Sequence, residues 1–150
     1  GWLRNPTIGH VAQQLGALCR FGTGLSNDVL EIAICTTARF WGQPYEWWAH
    51  KRNGLKAGVD AAIIDAIEDG RPPKFASEQQ ACAHDLAKEL LETKKVSQAT
   101  YERALKSFGE KTLVELTQVI GYYSCIALQM NCFEVTPDAG EQMLKNAAVG

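Results

Sequence analysis

The sequence predicts an all-α domain. Three observations carry that expectation. Apolar residues recur at the three-and-four spacing of a helix in segment after segment. Helix-capping residues precede these segments and glycine or proline follows most of them. No stretch alternates apolar and polar residues convincingly over the length of a strand. At 150 residues, 46% of them apolar, the chain is long enough for one domain, residues 1–150, around a real core.

The expected helices follow in order. The segment from His10 to Phe21 carries Val11, Leu15 and Leu18 at helical spacing and stops at the glycines of FGTG. Ser26 is an N-cap, with Asp28 favourable in the first turn of a helix that runs through EIAICTTARFW to Gly42. Pro44 suits the first turn of a third helix, closed near Gly58. Asp60 caps a short fourth helix that ends at Gly70, and GRPPKFA is a loop. Ser77 with Gln80 has the spacing of a capping box and opens SEQQACAHDLAKELLETKK, whose inner face is Ala81, Leu86, Leu90 and Leu91. Ser97 opens a sixth helix to Phe108. The seventh, KTLVELTQVIGYYSCIALQMN, is apolar almost all round and is expected at the centre of the bundle or at a subunit interface. Gly121 in its middle is expected to mark close helix packing; Tyr122, Tyr123 and Asn131 read as core or pocket lining. A last short helix is possible after Pro137.

Composition excludes several classes. The net charge is −2, so no basic field draws the chain to nucleic acid or to an anionic membrane. No apolar run reaches the length of a membrane span, and no stretch of these residues reads as a secretory signal. The chain begins Gly1-Trp2, and a preceding segment is expected to be missing. Cys19, Cys35, Cys82, Cys125 and Cys132 are odd in number, contain no C-x-x-C pair and lie in apolar helical patterns. They read as buried, reduced thiols of a cytoplasmic protein rather than as disulfides or zinc ligands.

Chemistry concentrates in EIAICTTARFWGQPYEWWAH, residues 31–50. Glu31, Cys35 and Arg39 step by four, as do Glu46 and His50, so each set projects from one side of a helix. A carboxylate beside an imidazole, walled by aromatic rings, is a proton-transfer arrangement. The plainer reading is an amphipathic helix pair with ordinary surface charges. Glu46 and His50 together supply two metal ligands at most, where a helix site needs a third and a fourth, so no metal is expected. His84 has no partner apparent in the sequence and reads as surface or satisfied core; His10 reads as an ordinary helix-entry residue.

The stretch EIAICTTARFWGQPYEWWAHKRNGLKAG resembles the signature region of the carboxymuconolactone decarboxylase family, related to alkylhydroperoxidase D. RFGTGLSNDVLEIAI and KVSQATYERALKSFGEKTLVELTQVIGYYSCIALQMNCFEV resemble the segments that frame it. The resemblance implies an alkylhydroperoxidase D-like bundle of about six to eight helices, assembled as a trimer or hexamer. The peroxidase branch of that family carries a Glu, eleven residues, C-x-x-C, three residues and a His. Glu31 and His50 match the Glu and the His, whereas the two cysteine positions fall on Gln43 and Glu46. Neither forms a thiolate, so a thiol peroxidase activity is disfavoured.

What remains resembles the decarboxylase branch, whose chemistry is acid–base and needs no cofactor. Loss of CO2 leaves an electron pair that must be delocalised and then protonated. His50 is the candidate acid–base group, Glu31 the residue that orients it, and Glu46 a general acid whose pKa desolvation would raise. Arg39 is placed to hold a substrate carboxylate or, equally, to pair with Glu31 or Glu46. Gln43, Tyr45 and Trp47 are the remaining candidate substrate contacts; Trp47 and Trp48 point about 100° apart, so at most one faces a pocket. The expected substrate is a small organic acid or lactone. The competing reading is a non-catalytic helical oligomer that binds a small hydrophobic ligand.

Overall fold

The computed structural model describes residues 2–138, 140, 141, 144 and 145. After one 3-10 turn, Trp2–Arg4, six α-helices follow: α1 Pro6–Phe21, α2 Asn27–Trp41, α3 Pro44–Lys56, α4 Ala61–Asp69, α5 Glu78–Thr93 and α6 Gln98–Cys132. No strand occurs among the described residues. The expected helix after Pro137 falls largely on residues outside those described.

The helix boundaries follow local chemistry. Asn5, Asp60, Ser77 and Ser97 each accept a backbone N–H of the first turn they open, and Pro6 and Pro44 occupy first turns where no N–H is needed. Gly42 and Gly70 end α2 and α4 in the left-handed conformation. The capping box at Ser77 is only half made. Ser77 accepts from the Gln80 N–H at 3.2 Å, but the Gln80 side chain turns to the Ala76 N–H and to Asp28 Oδ2 instead. The two expected closing helices are joined without a loop. They remain two helices, as the sequence predicts, meeting within α6 at a kink on Gly109 (φ 73°, ψ 167°), a conformation that essentially only glycine adopts.

The central helix is α2, not the most apolar one. Every residue from Val29 to Ala38 is buried, and α2 packs against α3, α4, α5 and α6. Small residues allow this. Ala33, Cys35, Thr36, Thr37 and Ala38 let neighbours close in from several sides, and both threonines donate to the carbonyls one turn back, at 2.7 and 2.8 Å. One face of α2, with Val29 and Ala33, meets Ala83 and Leu86 of α5 and Leu116 and Ile120 of α6. Another, with Ile32, Cys35 and Ala38, meets Trp47, Ile63, Ile64 and Ile67. A third, with Leu30 and Ile34, meets Cys19, Val119 and Tyr123.

The outer face of α6 is open. Val114 and Leu128 are exposed, as are Cys125 and Cys132, contrary to the expectation of buried thiols. Gly121 marks no close crossing within the chain, since nothing lies within 4 Å of where its Cβ would stand. On α1, Val11, Leu15 and Leu18, the apolar residues at helical spacing, are exposed together with Ile8. The inward side of α1 is its small residues. A Cβ on Gly16 would lie 2.2 Å from Tyr122 Oη, so α1 sits on α6 at a distance that only glycine permits. No helix among the described residues is long and apolar enough to cross a membrane.

Ile120 is 2% exposed within the core shared by α2, α5 and α6. Ile120→Glu is therefore expected to cost about 3–5 kcal/mol, the scale of a buried charge left unpaired. Urea denaturation checks this, and a variant with an unchanged midpoint would mean that Ile120 faces solvent.

Candidate functional site

Glu31 lies in the first turns of α2 and is 1% exposed. Burying a carboxylate is costly unless its charge is met. Two helices meet it. Arg20, in the last turn of α1, forms an ion pair with Oε1, and His50 of α3 places Nδ1 2.7 Å from Oε2. A carboxylate can only accept, so Nδ1 carries the proton and Nε2 is the nitrogen left for chemistry. The edge of Tyr123 closes on the imidazole, with ring centroids 4.9 Å apart and the planes at 83°. Burial pushes the Tyr123 phenol above its ordinary range, so it stays protonated at neutral pH.

Glu46, one turn before His50 on α3, is 2% exposed, and neither carboxyl oxygen has a hydrogen-bond partner among the described residues. Burial raises its pKa well above the ordinary carboxylate value and so favours the protonated acid. Cys35 is fully buried. Desolvation first, then Glu31 and Glu46, push its thiol well above the ordinary value, the opposite of what a nucleophilic cysteine needs.

Of the three residues expected to carry catalysis, Glu31 and His50 are in contact and Glu46 stands one turn from His50 on α3, whereas the expected substrate contacts do not gather there. Gln43 is structural: its Oε1 accepts the Glu46 N–H at 2.8 Å and its Nε2 donates to the Val135 carbonyl at 2.8 Å. Trp47 is buried in the core beside Ile32 and Cys35. Tyr45 is exposed and leans on Trp48, whose indole donates to Glu141 at 2.8 Å. Arg39 pairs with neither Glu31 nor Glu46. Its Nε donates to the Glu68 carbonyl at 2.7 Å, and it lines a cleft elsewhere. The reason is helical drift. A step of four residues overshoots a full turn by about 40°, so two steps carry Arg39 about 80° from Glu31.

The gap beside Glu31 and Cys35, lined by Gly54, Val59 and Ile64, leaves no room for a water molecule. The large concavity, about 550 Å3, lies between the end of α2, the 71–77 connection and α5. His84 opens onto it, and its partner is the next residue in the chain: Nδ1 lies 2.9 Å from Asp85 Oδ1. Nothing in the spacing of the sequence points to Arg20 or Tyr123, which reach the site from helices distant along the chain. The His84-Asp85 dipeptide, by contrast, was a readable signal for a paired histidine. Among the described residues, no three His, Cys, Asp or Glu side chains converge as a metal site requires. No protein-family model matches the chain, and no curated protein is significantly similar to it.

Two measurements probe this site. In the unfolded chain Glu46 titrates near pH 4.3, about the ordinary value for glutamate, and in the folded chain well above it. Between those two pH values the folded state holds a proton that the unfolded state has released. Stability therefore falls as pH rises through that window. Glu46→Gln should flatten this decline and raise the melting temperature at neutral pH; an unchanged pH profile would show Glu46 to be solvated. In thiol titration Cys35 should react only as the chain unfolds, and rapid labelling of Cys35 in the native protein would restore it as a nucleophile candidate.

Proposed function

We propose that the protein is a cofactor-free acid–base enzyme acting on a small organic acid or lactone, of the carboxymuconolactone decarboxylase kind. The 2.7 Å pairing of His50 with buried Glu31 carries this reading. Glu31, paired with Arg20, holds the imidazole with its proton on Nδ1, so that Nε2 accepts a proton from the substrate or returns one. Glu46, one turn before His50 on α3 and with a pKa raised by burial, is a second proton source. In a decarboxylation the C–C bond to the carboxylate breaks, CO2 leaves, and the electron pair enters the substrate's own π system. A proton then closes the step. The substrate supplies the electron sink, so no cofactor is required.

A thiol peroxidase is the weaker alternative. Gln43 and Glu46 stand where that chemistry needs sulfur, and Cys35 is buried and protonated.

The enzyme acts as a homo-oligomer, a trimer or hexamer. The support is the exposed apolar side of α1, Ile8, Val11, Leu15 and Leu18, a continuous face of the sort subunit contacts cover. His50 is only part buried, and a neighbouring subunit would complete a pocket over it.

Purified protein tested against carboxylated lactones and keto acids should consume at least one, and His50→Gln should lower kcat by about 100-fold or more. Equal turnover by the variant removes His50 from the mechanism. No organic hydroperoxide should be lost with a dithiol reductant present. Light scattering at low micromolar concentration should give a mass of three or six chains, and a stable monomer would contradict the assembly.

A further inference from the structure

The cleft beside α2 belongs to neither the acid–base pair nor the core, and its chemistry is specific. At about 550 Å3 it has the size of a small-molecule site. Its apolar surfaces are Phe40, which is exposed, and Phe75, which leans on His84 with ring centroids 5.0 Å apart. Pro72 and Pro73 form part of the wall, and their fixed φ angles hold it in shape before anything binds.

The charged residues sort into committed and uncommitted groups. Asp85 is committed: it takes His84 at 2.9 Å and Arg103 Nη1 at 2.6 Å, and Arg103 is anchored in turn by Glu78. Arg71 is committed to Asp69 at 3.0 Å. Arg39 spends only its Nε, on the Glu68 carbonyl, which fixes the plane of the guanidinium. Among the described residues no carboxylate pairs with Arg39 or with Lys88, and both line the cleft. Glu92, one turn beyond Lys88 on α5, is exposed and is the one acid in the lining without a described partner. Two available cations thus face one peripheral carboxylate across an aromatic floor.

We propose that this cleft binds a small monocarboxylic acid with a one- or two-ring apolar body. The carboxylate lies on the Arg39 fork and the Lys88 ammonium, and the ring body lies against Phe40 and Phe75. His84, its Nδ1 given to Asp85, offers Nε2 to a polar substituent of the ligand. The site is separate from Glu31 and His50 and stands whether or not that pair is catalytic.

The test uses 2-naphthoate as probe and the neutral 2-naphthamide as control, by calorimetry on the full chain. Naphthoate should bind with a millimolar or lower Kd, and the amide at least about tenfold more weakly, since a charge-assisted contact accounts for that much. Arg39→Gln and Lys88→Ala should each weaken naphthoate binding several-fold or more, while His50→Gln leaves it unchanged. Lys88 is exposed, so its variant should fold normally and keeps the test decisive if Arg39→Gln is unstable. Absence of naphthoate binding, equal binding of the amide, indifference to Lys88→Ala, or loss in His50→Gln would each overturn the proposal.

Discussion

The buried carboxylate of Glu31 organises this molecule. Moving such a charge from water into a dry interior costs, in the idealised limit, on the order of 20 kcal/mol. The fold must therefore bring opposite charge and hydrogen-bond donors to it. Arg20 comes from α1 and His50 from α3, so the charge on α2 fixes where two other helices dock. Glu68 repeats the device on the other side. Its carboxylate takes Lys51 at 3.3 Å and the Lys145 N–H at 3.1 Å, while its carbonyl takes Arg39. These two buried acids and their cations tie α1, α2, α3 and α4 in a defined register. Hydrophobic packing, which is not directional, does not specify register so closely.

The helices were legible because their ends are written locally. Asp60, Ser77, Ser97, Gly42 and Gly70 act on neighbours a few residues away, and each cap or stop lies where the sequence places it. Facing was harder to read. On α1 the large apolar residues are the conspicuous periodic signal, yet the side that packs is the one with Gly16 and Cys19. Smallness leaves little mark in a hydrophobic pattern. The same limit hid the centre of the bundle. The second part of α6 is more apolar, but α2, with its alanines and self-bonded threonines, can be surrounded. At the site, spacing within one segment singled out Glu31, Glu46 and His50, of which Glu31 and His50 are in contact. It could not find Arg20 or Tyr123, whose approach is tertiary, and it overextended to Arg39 because two four-residue steps drift round the helix.

The structure also separates two properties that active sites usually combine. The region with the strongest proton chemistry, around Glu31, Glu46 and His50, has almost no empty volume within the chain. The region with ample volume holds a His–Asp pair and, among the described residues, two cations without a carboxylate partner. Both are served by one helix, with Glu31 near the start of α2 and Arg39 near its end. Anything that shifts α2 along its axis bears on both.

Gly109 shows a constraint of a different kind. It is the only residue of α6 outside helical geometry, and it lets the part before it pack Ala104 and Phe108 near α5 while the part after it lies along α2. Nothing crowds it: the space where its Cβ would stand is empty to 4 Å. Volume is therefore not what the position forbids. With φ at 73° and ψ at 167°, the obstacle is chirality. An L-residue of any size meets its own backbone there, so the joint between the two helical parts of α6 turns on the one amino acid that has no hand.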